Sequence, residues 1–305
     1  MSGAAGQASL AAPASLRALL AGLIDYAGLY PPAGLDMATA VAEYARQRRG
    51  PDGWVLGRFV VSAARLDEFG SARPSHGGGS DDRWPVSVLL GGNPSADLEK
   101  ITAWEARGRL VVEGLEFKAR DAGEVDAVLA LIGTGRPGYV EVPLTPDPTS
   151  LLTHLGRLGL RAKARTGGLT QDLFPALADV VRFFEVCSRL QVPFKLTAGL
   201  HHPLQGDYRL TYRPDSAQGR MFGFLTMFAA AAAVRQHWPV NQVASLIAEM
   251  QAGEIRFDDA AMHWNSRALS TEALAESRVR GAISFGSCSF EEPLTDLRGI
   301  GYLPA

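Results

Sequence analysis

Lysine is nearly missing from this chain. Of its 30 basic residues only Lys100, Lys118, Lys163 and Lys195 are lysines, and every other one is an arginine. Cysteine is as scarce: Cys187 and Cys288 stand far apart and match no metal-ligand spacing. That excludes a disulfide framework and leaves free thiols of a reducing cytoplasm as the expectation. A surplus of one charge is lacking too. The formal net charge is −2, which gives no footing to nucleic acid or to an anionic membrane surface. No apolar run approaches the roughly 20 helical residues that cross a bilayer. The longest, MFGFLTMFAAAAAV at 221–234, is expected to be a helix buried against the fold or in a homo-oligomer contact. The first charge is Arg17, so residues 1–15 lack the basic start of a secretory signal. They read as a flexible tail before a single domain, 16–305, of a soluble cytoplasmic protein.

Hydrophobic residues make up 47% of the chain, enough for a large core. Short β-rich runs at 22–28, 56–63, 85–92, 112–119, 138–144, 160–166, 193–199 and 282–289 alternate with amphipathic or Ala-rich helical stretches. That alternation points to a parallel α/β architecture, and eight strands in one domain point to a (β/α)8 TIM-type barrel. No G-x-G-x-x-G follows the first strand, which counts against a doubly wound dinucleotide fold. Two connections stand out. The Gly/Ser-rich stretch 71–82 reads as a floppy loop on the face away from the site. The stretch 202–220 follows the seventh strand and carries Tyr208, Arg209, Tyr212, Arg213 and Arg220. It is long for such a connection and is expected to lie over the C-terminal face, where barrels build their sites.

Three of the four lysines fall in expected strands. Where arginine serves as the general cation, a lysine kept inside an apolar segment is a candidate for work only an amine can do. Lysine can lose its proton and attack a carbonyl; arginine cannot. Strand alternation decides what converges. Glu116 and Lys118 share a face of the fourth strand, and Glu141 lies between Val140 and Val142 in the fifth. Lys163 and Arg165 share a face of the sixth, with alanines on the other, and Lys195 shares one with Thr197 in the seventh. The opposite faces are apolar, so the ionisable groups are expected inside the barrel. Gathered there with alternating sign they offset one another's burial and make a site, or else a salt-bridge layer without chemistry. A second ammonium beside Lys163 is expected to lower its pKa and favour the neutral nucleophile.

The motifs KARTGG (163–168), FKLTAG (194–199) and SFGSCS (284–289) resemble those of the class I deoxyribose-phosphate aldolases. The resemblance implies Lys163 as the Schiff-base nucleophile, Lys195 as the lysine that tunes it, Glu116 as the proton-relaying carboxylate, and no organic cofactor. It also implies a small-residue phosphate loop around Ser287. Arg165 stands where that family has a serine, and His201 and Lys118 are additional. From the residues themselves, Lys118, Arg165, His201, Arg209, Arg213 and Ser287 are candidates to hold an anionic substrate, with Glu141 a second proton-transfer group. The expectation is a Schiff-base lyase acting on a small anionic carbonyl compound. Two alternatives stay open: a metal-assisted lyase or isomerase with a divalent ion on Glu116, Glu141 and His201, and a non-catalytic barrel that binds an anionic metabolite. Asp25 and Tyr26 are further candidates to line the pocket.

Overall fold

The computed structural model describes residues 12–73, 83–133 and 135–304. Eight parallel strands close a barrel: β1 (Ile24–Tyr26), β2 (Leu56–Ser62), β3 (Trp84–Leu89), β4 (Leu110–Lys118), β5 (Gly138–Val142), β6 (Arg161–Arg165), β7 (Phe194–Thr197) and, last in the chain, β13 (Ala282–Ser287). β13 sits between β7 and β1. All eight expected strands are present, and the fold is a (β/α)8 TIM-type barrel. Two small additions interrupt the pattern. A hairpin of β8 (Gly206–Arg209) and β9 (Gln218–Met221) follows β7, and an antiparallel sheet of β10 (Ile255–Phe257), β11 (Ala261–Trp264) and β12 (Arg267–Ser270) precedes the last helix–strand unit.

The helices are α1 (Ala14–Leu20), α2 (Met37–Arg49), α3 (Leu66–Ala72), α4 (Pro94–Ala106), α5 (Ala122–Ile132), α6 (Thr149–Leu158), α7 (Leu177–Leu190), α8 (Phe224–Arg235), α9 (Val240–Ile247), α10 (Thr271–Arg280) and α11 (Glu291–Gly299). Local chemistry sets several of their starts. Asp36, Asn93, Asp121 and Ser270 each accept a backbone N–H of the first turn, satisfying a donor that has no partner within the helix.

Two sequence expectations are adjusted here. α1 begins at Ala14, so the end of the expected tail is helical. The Ser15 hydroxyl is buried and donates to the carbonyls of Asp258 and Ala261. α8 is buried from Phe224 to Val234 by packing within the chain, on α7, α9, α10 and β13. Its all-round apolar surface therefore needs no subunit contact. Of the expected floppy loop 71–82, residues 74–82 lie outside the described residues. Among the described residues no helix is long and apolar enough to cross a membrane.

Candidate active site

Five barrel strands bring one inward side chain each to the same level. Lys118 of β4 pairs in register with Glu141 of β5, Glu141 with Lys163 of β6, Lys163 with Lys195 of β7, and Lys195 with Ser284 of β13. Neighbours in a parallel sheet point to the same side, so alternation along each strand places the whole row inside. On the other face of β6, Ala162 and Ala164 pack outward and are fully buried.

The charges alternate in sign as they connect. Lys118 Nζ lies 3.6 Å from Glu141 Oε1, and Glu141 Oε2 lies 3.0 Å from Lys163 Nζ. Lys163 Nζ is 2.8 Å from Glu116 Oε2, whose other oxygen takes Lys195 Nζ at 2.6 Å. Lys195 also donates to Asp25 Oδ2 at 2.6 Å. Asp25 then meets Arg58 at 3.4 Å, and Arg58 meets Glu113 at 3.0 Å. Eight ionic groups thus run from the C-terminal mouth toward the N-terminal end of β4. Neutral donors complete the two innermost carboxylates: Ser87 Oγ to Glu116 at 2.5 Å and Ser284 Oγ to Asp25 at 2.8 Å. Single ions at this depth would cost several kcal/mol each, and alternation with added hydrogen bonds offsets that cost.

Asp25 is the innermost at 0% exposed, followed by Lys195 at 2%, Glu116 at 3% and Lys163 at 6%. Lys163 is thus the more accessible of the two buried amines. It opens, with Glu116, Glu141, Lys195, Lys118 and Arg165, into a cavity of about 280 Å³. Tyr30, Pro31, His201, Gly286 and Cys288 complete much of its wall. The rim between β6 and β7 is tight: a Cβ on Gly199 would come within 2.6 Å of the Gly167 Cα. Ala198, which lines the cavity, takes φ 63°, an unfavourable left-handed conformation for a residue with a Cβ. The Thr166 hydroxyl, 2.8 Å from the Ala198 carbonyl, ties the two strand ends together.

Electrostatics corrects one expectation. Burial works to lower the Lys163 pKa, and Lys195 adds to that effect. The carboxylates of Glu116 and Glu141 outweigh both, so the Lys163 ammonium stands above its ordinary value. The second lysine does lower its neighbour, but Glu116 lies between the two amines. For Lys195, burial is likewise overcome by Asp25 and Glu116, and its pKa is raised. Burial would raise Glu116, yet the two lysines hold it well below the usual carboxylate range. Asp25 and Glu141 are also lowered, against burial, by Lys195 and Arg58 and by Lys163 and Lys118 respectively. Burial and Glu116 push the Tyr30 phenol up to about 12.

The other expected residues divide. Lys118 and Arg165 line the cavity, and so does His201. His201, however, turns its Nδ1 to Glu292 at 3.0 Å, while both glutamates of the suggested metal trio are taken by Lys163. Glu116, Glu141 and His201 therefore do not gather around a common point. Among the described residues no group of three or more His, Cys, Asp or Glu is arranged to hold a metal ion. Arg209 lines a neighbouring cavity of about 230 Å³ beside His201 and Tyr212. Arg213 lies outside both and pairs with Asp215 at 3.3 Å. Ser287 is buried, with its hydroxyl donated to the Ser289 carbonyl, so the cavity wall there is Gly286 and Cys288 instead. Tyr26 packs outward against Tyr44 and Phe59 and is not in the cavity.

Sequence reasoning named Asp25 only as a pocket-lining candidate, without its bond to Lys195, and missed Ser87 and Ser284. All three residues of β1 are buried, so no polar alternation showed which side Asp25 takes, and the two serines read as ordinary small residues. No family model, curated protein or solved structure matches the chain; the meaning of the site rests on its own geometry.

Proposed function

We propose that the protein is a Schiff-base lyase of the aldolase type, acting on a small anionic carbonyl compound through Lys163. The observation that carries this reading is the position of the Lys163 amine. It is the more accessible of two buried lysines, it opens into a walled cavity, and a carboxylate lies within 3.0 Å on each side. The resemblance of KARTGG and FKLTAG to the class I deoxyribose-phosphate aldolases points the same way.

The chemistry balances with the groups present. Lys163 gives a proton to Glu141, the more open of its two partners, and the free amine adds to the substrate carbonyl. The carbinolamine takes a proton back, loses water and becomes an iminium ion. A carboxylate then removes the proton of a β-hydroxyl. The Cα–Cβ bond breaks, its electron pair enters the iminium to form an enamine, and an aldehyde leaves. Protonation at Cα and addition of water release the second product and restore Lys163. Glu116 is saturated by Lys163, Lys195 and Ser87, and its role is to position the amine. Lys195, held charged by Asp25 and Glu116, supplies a fixed positive field near the developing charges.

A binding barrel is the second reading, and one observation favours it: every central charge already has a partner. Borohydride trapping separates the two. Incubation with a panel of aldehydes and ketones, then reduction, should leave a covalent adduct that peptide mass spectrometry places on Lys163. Lys163→Arg keeps the charge but forms no imine, and should lose both adduct and turnover. An adduct-free wild type, or an active Lys163→Arg protein, would end the lyase reading.

A further inference from the structure

The Lys163 cavity does not end at its rim. A second cleft of about 520 Å³ adjoins it across a doorway of Lys118, Glu141 and Arg165, which line both. Beyond this doorway the cleft is of mixed character, with Val142, Leu144 and Phe174 beside Arg120, Glu124 and Asp172.

The opposite side of the cavity has the reverse polarity. Glu291 and Glu292 occupy the first turn of α11. Ser289 Oγ already accepts the Glu292 N–H at 3.1 Å, and the Glu292 carboxylate receives Tyr212 at 2.9 Å and faces His201. The helix start that would attract an anion therefore carries its own carboxylate. A phosphate beside Gly286 and Cys288 would meet that negative charge. At the doorway, by contrast, two cations, Lys118 and Arg165, flank the single carboxylate of Glu141, which Lys163 and Lys118 already neutralise.

We infer that the substrate is an oxo acid whose carboxylate is held by Lys118 and Arg165 at the doorway, with its carbonyl turned inward to Lys163. This rests on the lyase reading of Lys163 and adds the substrate class to it. Lys118 is tied to Lys163 through the two oxygens of Glu141, so a carboxylate at the doorway leaves the carbonyl of the same molecule within reach of the amine. Arg165 has its Nη1 on the Gly167 carbonyl at 3.2 Å, which fixes the guanidinium at the rim with donors to spare.

The test uses the full chain and borohydride trapping with 2-oxopentanoate, its uncharged methyl ester and deoxyribose 5-phosphate. The wild type should be half-saturated at a concentration about tenfold or more lower for the acid than for the ester, the fold-change of one good charge-assisted contact. In the Lys118→Ala/Arg165→Gln double variant that ratio should collapse to within about twofold. A sugar phosphate trapped more tightly than the oxo acid, or an acid-to-ester ratio that survives the double variant, overturns the inference while leaving the lyase reading in place. Adduct from none of the three overturns both.

Discussion

Lys163 and Lys195 divide one carboxylate between them, 2.8 Å from Glu116 Oε2 and 2.6 Å from Glu116 Oε1. Two ammonium ions side by side would repel, and each would lose its proton more easily. With an anion shared between them each is stabilised as the cation. The resting site therefore stores its nucleophile in protonated form, and a proton must leave Lys163 before any imine forms.

The rate of imine formation should consequently climb with pH. The Lys163 pKa lies above the ordinary 10.5, so the neutral fraction at pH 7 is below about 0.1% and grows roughly tenfold per pH unit. Timed trapping between pH 7 and pH 9.5 should follow that slope. A rate that is flat or falls over this interval would show that the amine is already neutral at pH 7.

Replacing Glu116 tests the same relationship from the other side. Glu116→Gln removes the largest influence that raises Lys163, so the pH profile of trapping should move to lower pH. It also breaks two buried ion pairs, a change that costs about 3–5 kcal/mol in such settings. The expected result is a protein that unfolds at lower denaturant concentration, yet whose trapping begins at lower pH. A profile that stays in place would mean that Glu116 does not control the proton on Lys163.

Acid should loosen the barrel through the same carboxylates. Folding lowers Glu116 and Asp25 from ordinary values of 4.5 and 3.8. A lowered folded pKa contributes stability that is complete above the unfolded value and is lost as pH falls toward the folded one. Urea midpoints should hold steady from pH 7 to pH 5 and fall below about pH 4.5, where the unfolded chain starts to take up protons that the folded barrel refuses. Asp25→Asn should start from a lower midpoint and lose less of it between pH 4.5 and pH 3. Equal losses in the two proteins would assign the acid sensitivity to surface carboxylates.

The barrel and the central row were legible because both rest on period. Glu116, Lys118, Lys163 and Lys195 alternate with apolar neighbours, and a two-residue period says which side each takes. What was not legible depends on distances across the barrel. Asp25 lies 170 positions from Lys195 in the chain, within a strand buried on both faces. The direction of the Lys163 shift failed for the same reason. Sequence showed two lysines on adjacent strands but not that Glu116, from two strands further round, reaches between them. The pairing of Arg213 with Asp215, two positions on in the same loop, is likewise a matter of loop geometry that no period announces.

The hairpin should act through Tyr212 and not through that arginine. Arg213 is 79% exposed and lines neither cavity beside His201. Exposed pairs of this kind are worth about 0–1 kcal/mol, so Arg213→Ala should leave the half-saturating concentration for trapping within about twofold of wild type. Tyr212 instead ties the hairpin to the barrel. Its hydroxyl donates to Glu292 at 2.9 Å and lies 3.5 Å from Cys288 Sγ, and Cys288 is part of the cavity wall. Tyr212 is half exposed, so solvent screens this bond to about 0.5–1.5 kcal/mol. Tyr212→Phe should therefore free the hairpin from α11 and raise the half-saturating concentration about three- to tenfold, with thermal unfolding close to wild type because the barrel itself is untouched. Arg213→Ala as damaging as Tyr212→Phe would return the arginine to the substrate path and place the anion on the hairpin side.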